Sequence, residues 1–247
     1  MKEHVSRKAL VVKHLSSLPV GAVATEETFD RPFADLFADS VWLLRHAERA
    51  TDDDIHGTLS RESLMASLFL LEAAANTCIE SLDLVSAVFG EIDRLPVLAK
   101  YDIYLRTRFR RRHLDRGARP VQALRELKAL RDAYAHPKPQ KVVWEQSAES
   151  LTAWPQLTAM LKVRTNPHDW YSDDAVIVMR SVHAFLSHFF REQCRFRPTH
   201  VAGLLFSEED IPVAERGTTM CFDRSIRLDL KRWRIDVSYC RLCWLSN

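Results

Sequence analysis

The sequence predicts a mainly α-helical protein: an antiparallel helical bundle with a small C-terminal appendage that contains β structure. Three observations predict it. Long stretches place apolar residues at steps of three and four, the repeat of a helix with one buried face. Only 6 of the 247 residues are Gly, and the tight turns and phosphate loops of wound α/β sheets lean on Gly. Beyond residue 195 the pattern changes, and short pieces alternate with the period of a strand.

Residues 1–31 show no sustained period and read as an N-terminal arm. A helix is predicted over Asp35 to Arg49, with Leu36, Phe37, Val41, Leu44 and Ala47 on one side. The run Thr51-Asp52-Asp53-Asp54 and Gly57 marks a break. The clearest helix follows, with Ser60 as N-cap, Glu62 in its first turn and Gly90 at its end. Its stripe is Leu64, Leu68, Leu71, Ala75, Cys78, Leu82, Val85 and Phe89. Arg94 to Arg112 reads as a third helix. Gly117 and Pro120 close the connection after it, and Pro120 suits the first position of the next helix. That helix carries Val121, Leu124, Leu127, Leu130 and Tyr134 on one face, and Pro137 and Pro139 stop it. Ser147 to Val163 is expected to be helical with a kink at Pro155. Asp173 to Cys194 closes the bundle, with Val178, Val182, Phe185 and Phe189 on its stripe. The bundle thus spans 32–194 and the appendage 195–247, where Ile226-Arg227-Leu228-Asp229-Leu230 and Arg234-Ile235-Asp236-Val237 alternate with period 2.

Composition narrows the function classes. Apolar residues make up 47% of the chain, enough for a sizeable core, and the net charge of +2 implies no polyanion partner by itself. The five cysteines, an odd number without a secretory leader pattern, fit a reducing, cytoplasmic setting. No run reaches the roughly 20 apolar residues of a membrane span, so no membrane association is expected. No phosphate-cradling Gly loop and no Gly-x-Ser-x-Gly occurs, and no cofactor is expected.

The most informative stretch is Arg131-Asp132-Ala133-Tyr134-Ala135-His136. On a helical wheel Arg131 falls inside the apolar arc, between Leu127 and Leu124. A guanidinium placed there needs an anion or another partner, because burying it alone costs several kcal/mol. His136 lies about 140° further round an ideal helix. Pro137 disfavours the helical conformation for the residue before it, which frees His136 to swing. Asp132, one turn before His136, is placed to orient the imidazole. The plainer alternative is a structural ion pair at Arg131 and a helix-end histidine favoured by the dipole.

Arg131-Asp132-x-x-x-His136 resembles the Arg-polar-x-x-x-His signature of the HEPN superfamily (higher eukaryote and prokaryote nucleotide-binding domains). Two long upstream helices, a helix ending in the motif and a closing helix fit that family's bundle. Leu70-Leu71-Glu72-Ala73-Ala74-Ala75-Asn76 looks like its long helix with small residues and an embedded acid. The resemblance covers roughly residues 32–194. It implies a metal-independent endoribonuclease, often a toxin or antiviral defence effector, that works as a homodimer with the two motifs forming one composite site. In that reading His136 acts as base on a ribose 2′-hydroxyl or as acid toward the leaving 5′-oxygen. Arg131 clamps the scissile phosphate, and the product carries a 2′,3′-cyclic phosphate. RNA is the implied partner, with an antitoxin or regulatory protein as a second. Many members are non-catalytic dimerising or binding modules, which is the alternative function.

A basic segment supports an RNA partner. Arg106, Arg108, Arg110, Arg111, Arg112, Arg116 and Arg119 surround Phe109 and His113, and arginine both pairs with phosphate and stacks on bases. The alternative is a solvated helix end paired with local acids. Two further motifs stay weak. Leu43-Leu44-Arg45-His46-Ala47-Glu48 resembles the Arg-His-Gly-Glu start of histidine phosphatases, but that family places it after a strand of an α/β fold. Cys240-Arg241-Leu242-Cys243 has the spacing of half a zinc knuckle and lacks a second pair.

Overall fold

The structure, a computed structural model, describes residues 31–139, 144–146, 151–153, 155–206 and 220–244. The chain is mainly helical. The helices are α1 (Phe33–Arg49), α2 (Asp53–Glu80), α3 (Ser86–Asp93), α4 (Val97–Arg108), α5 (Arg119–Ala135), α6 (Ser172–Ser187), α7 (Pro198–Leu205) and α8 (Arg224–Arg232). A π-helical turn, His188–Gln193, extends α6. Strands β1 (Trp144–Gln146) and β2 (Leu151–Ala153) pair antiparallel, and β3 (Met220–Phe222) and β4 (Leu242–Trp244) pair parallel.

The long helix α2 lies at the centre and touches α1, α4, α5, α6 and α7. Small residues let α1 come close. Ser63 Oγ donates to the Ser40 carbonyl at 2.7 Å, and Ser40 Oγ donates to that of Phe37 at 2.8 Å. Each buried hydroxyl is thereby satisfied, which removes the cost of placing it there. On the other side Tyr101 of α4 meets Phe185 and Phe189 edge-on, with centroids 4.9 and 4.5 Å away. Its hydroxyl donates to the Leu71 carbonyl at 2.8 Å. Lys100 is buried, and its ammonium donates to Asn76 Oδ1 at 2.7 Å and Asp93 Oδ1 at 3.2 Å, tying α2, α3 and α4 together.

Several sequence expectations need correcting. α2 is capped by Asp52, whose side chain accepts the Ile55 N–H, and not by Ser60, which is buried mid-helix. It stops at Glu80, where the Ser81 hydroxyl bonds the Cys78 carbonyl and Asp83 adopts φ 50°. The apolar period runs on through α3, a separate helix. The stretch expected as a kinked helix over 147–163 instead contains β2, a turn at 159–161 and a bridge between Leu157 and Arg164; residues 147–150 and 154 lie outside the described set.

The expected β pattern of the tail is also revised. Ile226–Leu230 lies in α8, and among the described residues of the tail β structure is confined to the three-residue pair β3–β4. Nor does the described tail stand apart: Phe222, Ile226, Leu230, Trp233 and Tyr239 belong to the same buried cluster as α1, α2 and α6. Asp229 of α8 accepts from the buried Arg45 of α1, and Trp233 Nε1 donates to Glu48 at 2.8 Å.

The tail also closes over a buried histidine. His183 of α6 has Nδ1 2.9 Å from the Tyr239 hydroxyl, while its Nε2 is buried without a hydrogen-bond partner among the described residues. Burial lowers its pKa from the usual 6.5 to about 4, and Asp236 offsets this only in part. The fold therefore favours the neutral ring. This contribution is complete above pH 6.5 and is lost as pH falls toward 4, at most roughly 3 kcal/mol. Urea unfolding at pH 7 and at pH 4.5 should show that loss, and His183→Gln should remove most of the difference between the two pH values.

Candidate functional site

Helix α5 begins with Pro120 in its first turn, where a missing N–H leaves no bond unmade. It is held on one side by Glu126, whose carboxylate accepts the Met160 and Leu161 N–H groups at 2.7 and 2.9 Å. Pro137 ends it. His136 leaves the helix at φ −130°, ψ 67°, while its N–H still donates to the Asp132 carbonyl at 2.9 Å. The imidazole is exposed and, among the described residues, has no hydrogen-bond or ion-pair partner.

Arg131 lines a shallow groove, open to solvent, between α2, α4 and α5. Leu68, Leu71, Val97, Leu124 and Leu127 supply apolar walls; Glu72, Lys128 and Arg131 supply the polar part. The anion that a guanidinium needs in this position comes from α2: Arg131 Nη1 donates to Glu72 Oε2 at 2.9 Å, and Nη2 to Asp132 Oδ1 at 3.3 Å. The Arg131 side chain is 34% exposed and that of Glu72 40%. Such a pair fixes orientation more than it stabilises, contributing about 0–1 kcal/mol.

Asp132 does not orient His136. Its second oxygen accepts from Lys128 one turn earlier. That hydrogen bond, with Arg131 beside it, holds the Asp132 carboxyl below its ordinary pKa although partial burial opposes the shift. Glu72, Arg131, Asp132 and Lys128 thus form a chain of alternating charge. Within one protomer the structure brings Arg131 and Asp132 together and leaves His136 outside the groove lining.

The last turn of α5 is braced at Tyr134. Its ring stacks on Trp170 with centroids 5.9 Å apart and 15° between planes, and its hydroxyl donates to Glu62 Oε1 at 2.8 Å. That bond to a carboxylate raises the tyrosine pKa, and partial burial adds to it. In the sequence Glu62 reads only as an acid of a first helical turn, with nothing to pair it with Tyr134 across 72 residues. Glu72, by contrast, was legible as an acid embedded in an apolar stripe.

The arginine run lies at the other end of α5. Arg119 opens the helix, and the 12 residues from it to Arg131 span about 18 Å. Two of the arginines are occupied. Arg106 pairs with Asp102 at 3.0 Å, and Arg112 Nη1 donates to the Gln193 carbonyl at 2.6 Å with its guanidinium over the Phe109 ring. Arg108, Arg110, Arg111 and Arg116 are exposed and form no ion pair among the described residues. Partial burial works to raise the Asp102 pKa, but the Leu114 N–H and Arg106 outweigh it and hold the carboxyl low.

The rival motifs have structural employment. Arg45 pairs with Asp229, Glu48 accepts from Arg232 and Trp233, and all three phosphatase-like residues lie in α1. Cys240 is buried, and burial pushes its thiol pKa up; Cys243 is half-buried. Among the described residues no group of three or more His, Cys, Asp or Glu side chains is arranged to hold a metal ion. No helix there is long and apolar enough to cross a membrane. Compared with known protein families, curated proteins and solved structures, the chain matches none.

Proposed function

We propose that this chain is a metal-independent endoribonuclease of the HEPN type, acting at a composite site in a homodimer, with Arg131 and His136 as its catalytic residues. The observation that carries the reading is the pairing of roles at one helix end. A guanidinium is held by carboxylates of two elements, and an imidazole five residues on is released from the helix and has no hydrogen-bond or ion-pair partner among the described residues. In this reading the phosphate is clamped by Arg131, whose planar fork matches its oxygens. His136 moves the proton of the 2′-hydroxyl or of the 5′-oxygen. A second copy must bring the two groups to one phosphate, since a single protomer keeps His136 out of the groove.

One observation favours a second reading, a non-catalytic dimerising or binding module. The charge of Arg131 is already balanced by Glu72 and Asp132, so an incoming phosphate must compete with two carboxylates. Incubation of RNA with the chain in a chelator separates the two. The nuclease reading expects fragments ending in 2′,3′-cyclic phosphate, lost in His136→Ala. Intact RNA with both proteins, under conditions where the wild type is dimeric, would leave only the module.

A further inference from the structure

We propose that two segments distant in sequence, 108–116 and 195–197, form a second RNA-contacting surface that holds the flank of a strand well away from the Arg131–His136 end of α5. The attachment of that strand to a cut site rests on the nuclease reading; the binding itself does not. The loop after α4 and the turn after the π-helical segment are locked together. Phe109 and Phe196 meet with centroids 5.8 Å apart, and Arg112 bonds the Gln193 carbonyl across the join. This brings the stretch around Arg195 and Arg197, both exposed, against the loop that carries the exposed Arg108, Arg110 and Arg111, with Arg116 further along the same loop. None of these six forms an ion pair among the described residues. The acids nearby are occupied: Asp102 by Arg106 and the Leu114 N–H, Asp115 by the Gly117 N–H, and Glu192 by His188.

Three features point to RNA rather than to another polyanion. Every cation in the two segments is arginine, which binds phosphate through a planar fork and stacks on bases, where lysine does neither. A flat stack stands among them: His200, exposed, lies on Phe196 with centroids 4.0 Å apart and 11° between planes, a platform on which a base can continue. The patch also lacks the exposed large apolar side chains that an interfacial membrane surface inserts; those lie elsewhere, at residues such as Trp42, Phe69 and Leu228. The backbone adds a fourth observation. Arg111 and Arg195 hold φ of 67° and 58°, the left-handed region that side-chain-bearing residues rarely adopt. Each segment thus keeps an arginine where glycine would be more comfortable, as happens where a side chain has work to do.

The same strain supplies a clean test. In the double variant Arg111→Gly, Arg195→Gly the backbone is relieved and two charges are lost, so the full-length protein should melt at the same temperature or higher. Anisotropy titrations with a fluorescent 20-nucleotide single-stranded RNA should then show affinity reduced roughly tenfold near 100 mM salt. The slope of log affinity against log salt should be shallower by about 1 to 2. Binding retained in His136→Ala, with cleavage absent, would separate this surface from the nuclease reading. Unchanged affinity and slope in the glycine variant would overturn the proposal. So would equal, equally variant-sensitive binding to phosphatidylserine vesicles or to poly-aspartate, which would assign the surface to a membrane or an acidic protein.

Discussion

Replacing His136 by alanine is expected to lower RNA cleavage by roughly 10²- to 10⁴-fold, the range that a positioned acid or base contributes. The fold should be unaffected. His136 is exposed, its ring touches no described partner, and the one bond its backbone makes, to the Asp132 carbonyl, survives in alanine. Initial rates on a fixed RNA, with circular dichroism as the control for folding, check the result. Arg131→Ala should cost at least as much in rate, because Arg131 and Lys128 are the two cations among the described residues that line the groove. Its effect on stability should stay within about 1 kcal/mol, since Glu72 remains solvated when its partner is removed. A Glu72→Gln chain that cleaves faster than wild type would show that the carboxylate restrains Arg131; one that cleaves more slowly would show that it positions it.

The largest expected effect on stability lies far from that site. Asp229→Ala removes the carboxylate that meets Arg45, a residue 5% exposed in the core face of α1. Among the described residues Arg45 Nη2 already lacks a hydrogen-bond partner, so the variant leaves the guanidinium buried without its ion-pair partner and with only the Asp223 carboxylate acting on it from a distance. Breaking a buried pair from one side costs about 3–5 kcal/mol, which for a chain of this size lowers Tm by roughly 10 °C. Arg45→Met combined with Asp229→Leu should recover most of the loss, because no charge then remains to desolvate. Thermal melts of the three proteins decide it. An Asp229→Ala protein as stable as wild type would mean that α8 does not anchor the tail on α1.

The particular residues explain what the sequence could reveal. The helices of the bundle were legible wherever a helix buries one stripe: Val41 and Leu44 in α1, Leu64 through Cys78 in α2, Leu124 through Leu130 in α5. Boundaries failed where the stripe outlasts the helix. Leu82 and Phe89 continue the period of α2, yet the left-handed turn at Asp83 starts a new element. In the tail, Ile226, Leu228 and Leu230 alternate as a strand would, but Ile226 and Leu230 also sit four apart. Asp223, which accepts the Ser225 N–H, caps a helix that buries those two and exposes Leu228. Short windows cannot separate these periods.

For the candidate site, the motif and its need for an anion were visible in the residues, because a cation inside an apolar arc demands one. The identity of the partners was less so. Lys128 stands four residues before Asp132, a spacing that announces an ion pair and takes that carboxylate away from His136. The join between the arginine loop and the turn at Arg195 was invisible, because it depends on Phe109 meeting Phe196 across 87 residues of chain.

A composite site requires that two copies bring their motifs together, and a distance measurement addresses that directly. Cys221→Ser and Cys243→Ser leave Cys78, Cys194 and Cys240, all buried. Lys138→Cys then offers one exposed thiol two residues beyond His136 for a spin label. Pulsed electron resonance on the dimer should give a pair distance shorter than α5 itself, whose 17 residues span about 25 Å. A longer distance, or a chain that stays monomeric at concentrations where RNA is cut, would contradict the composite site.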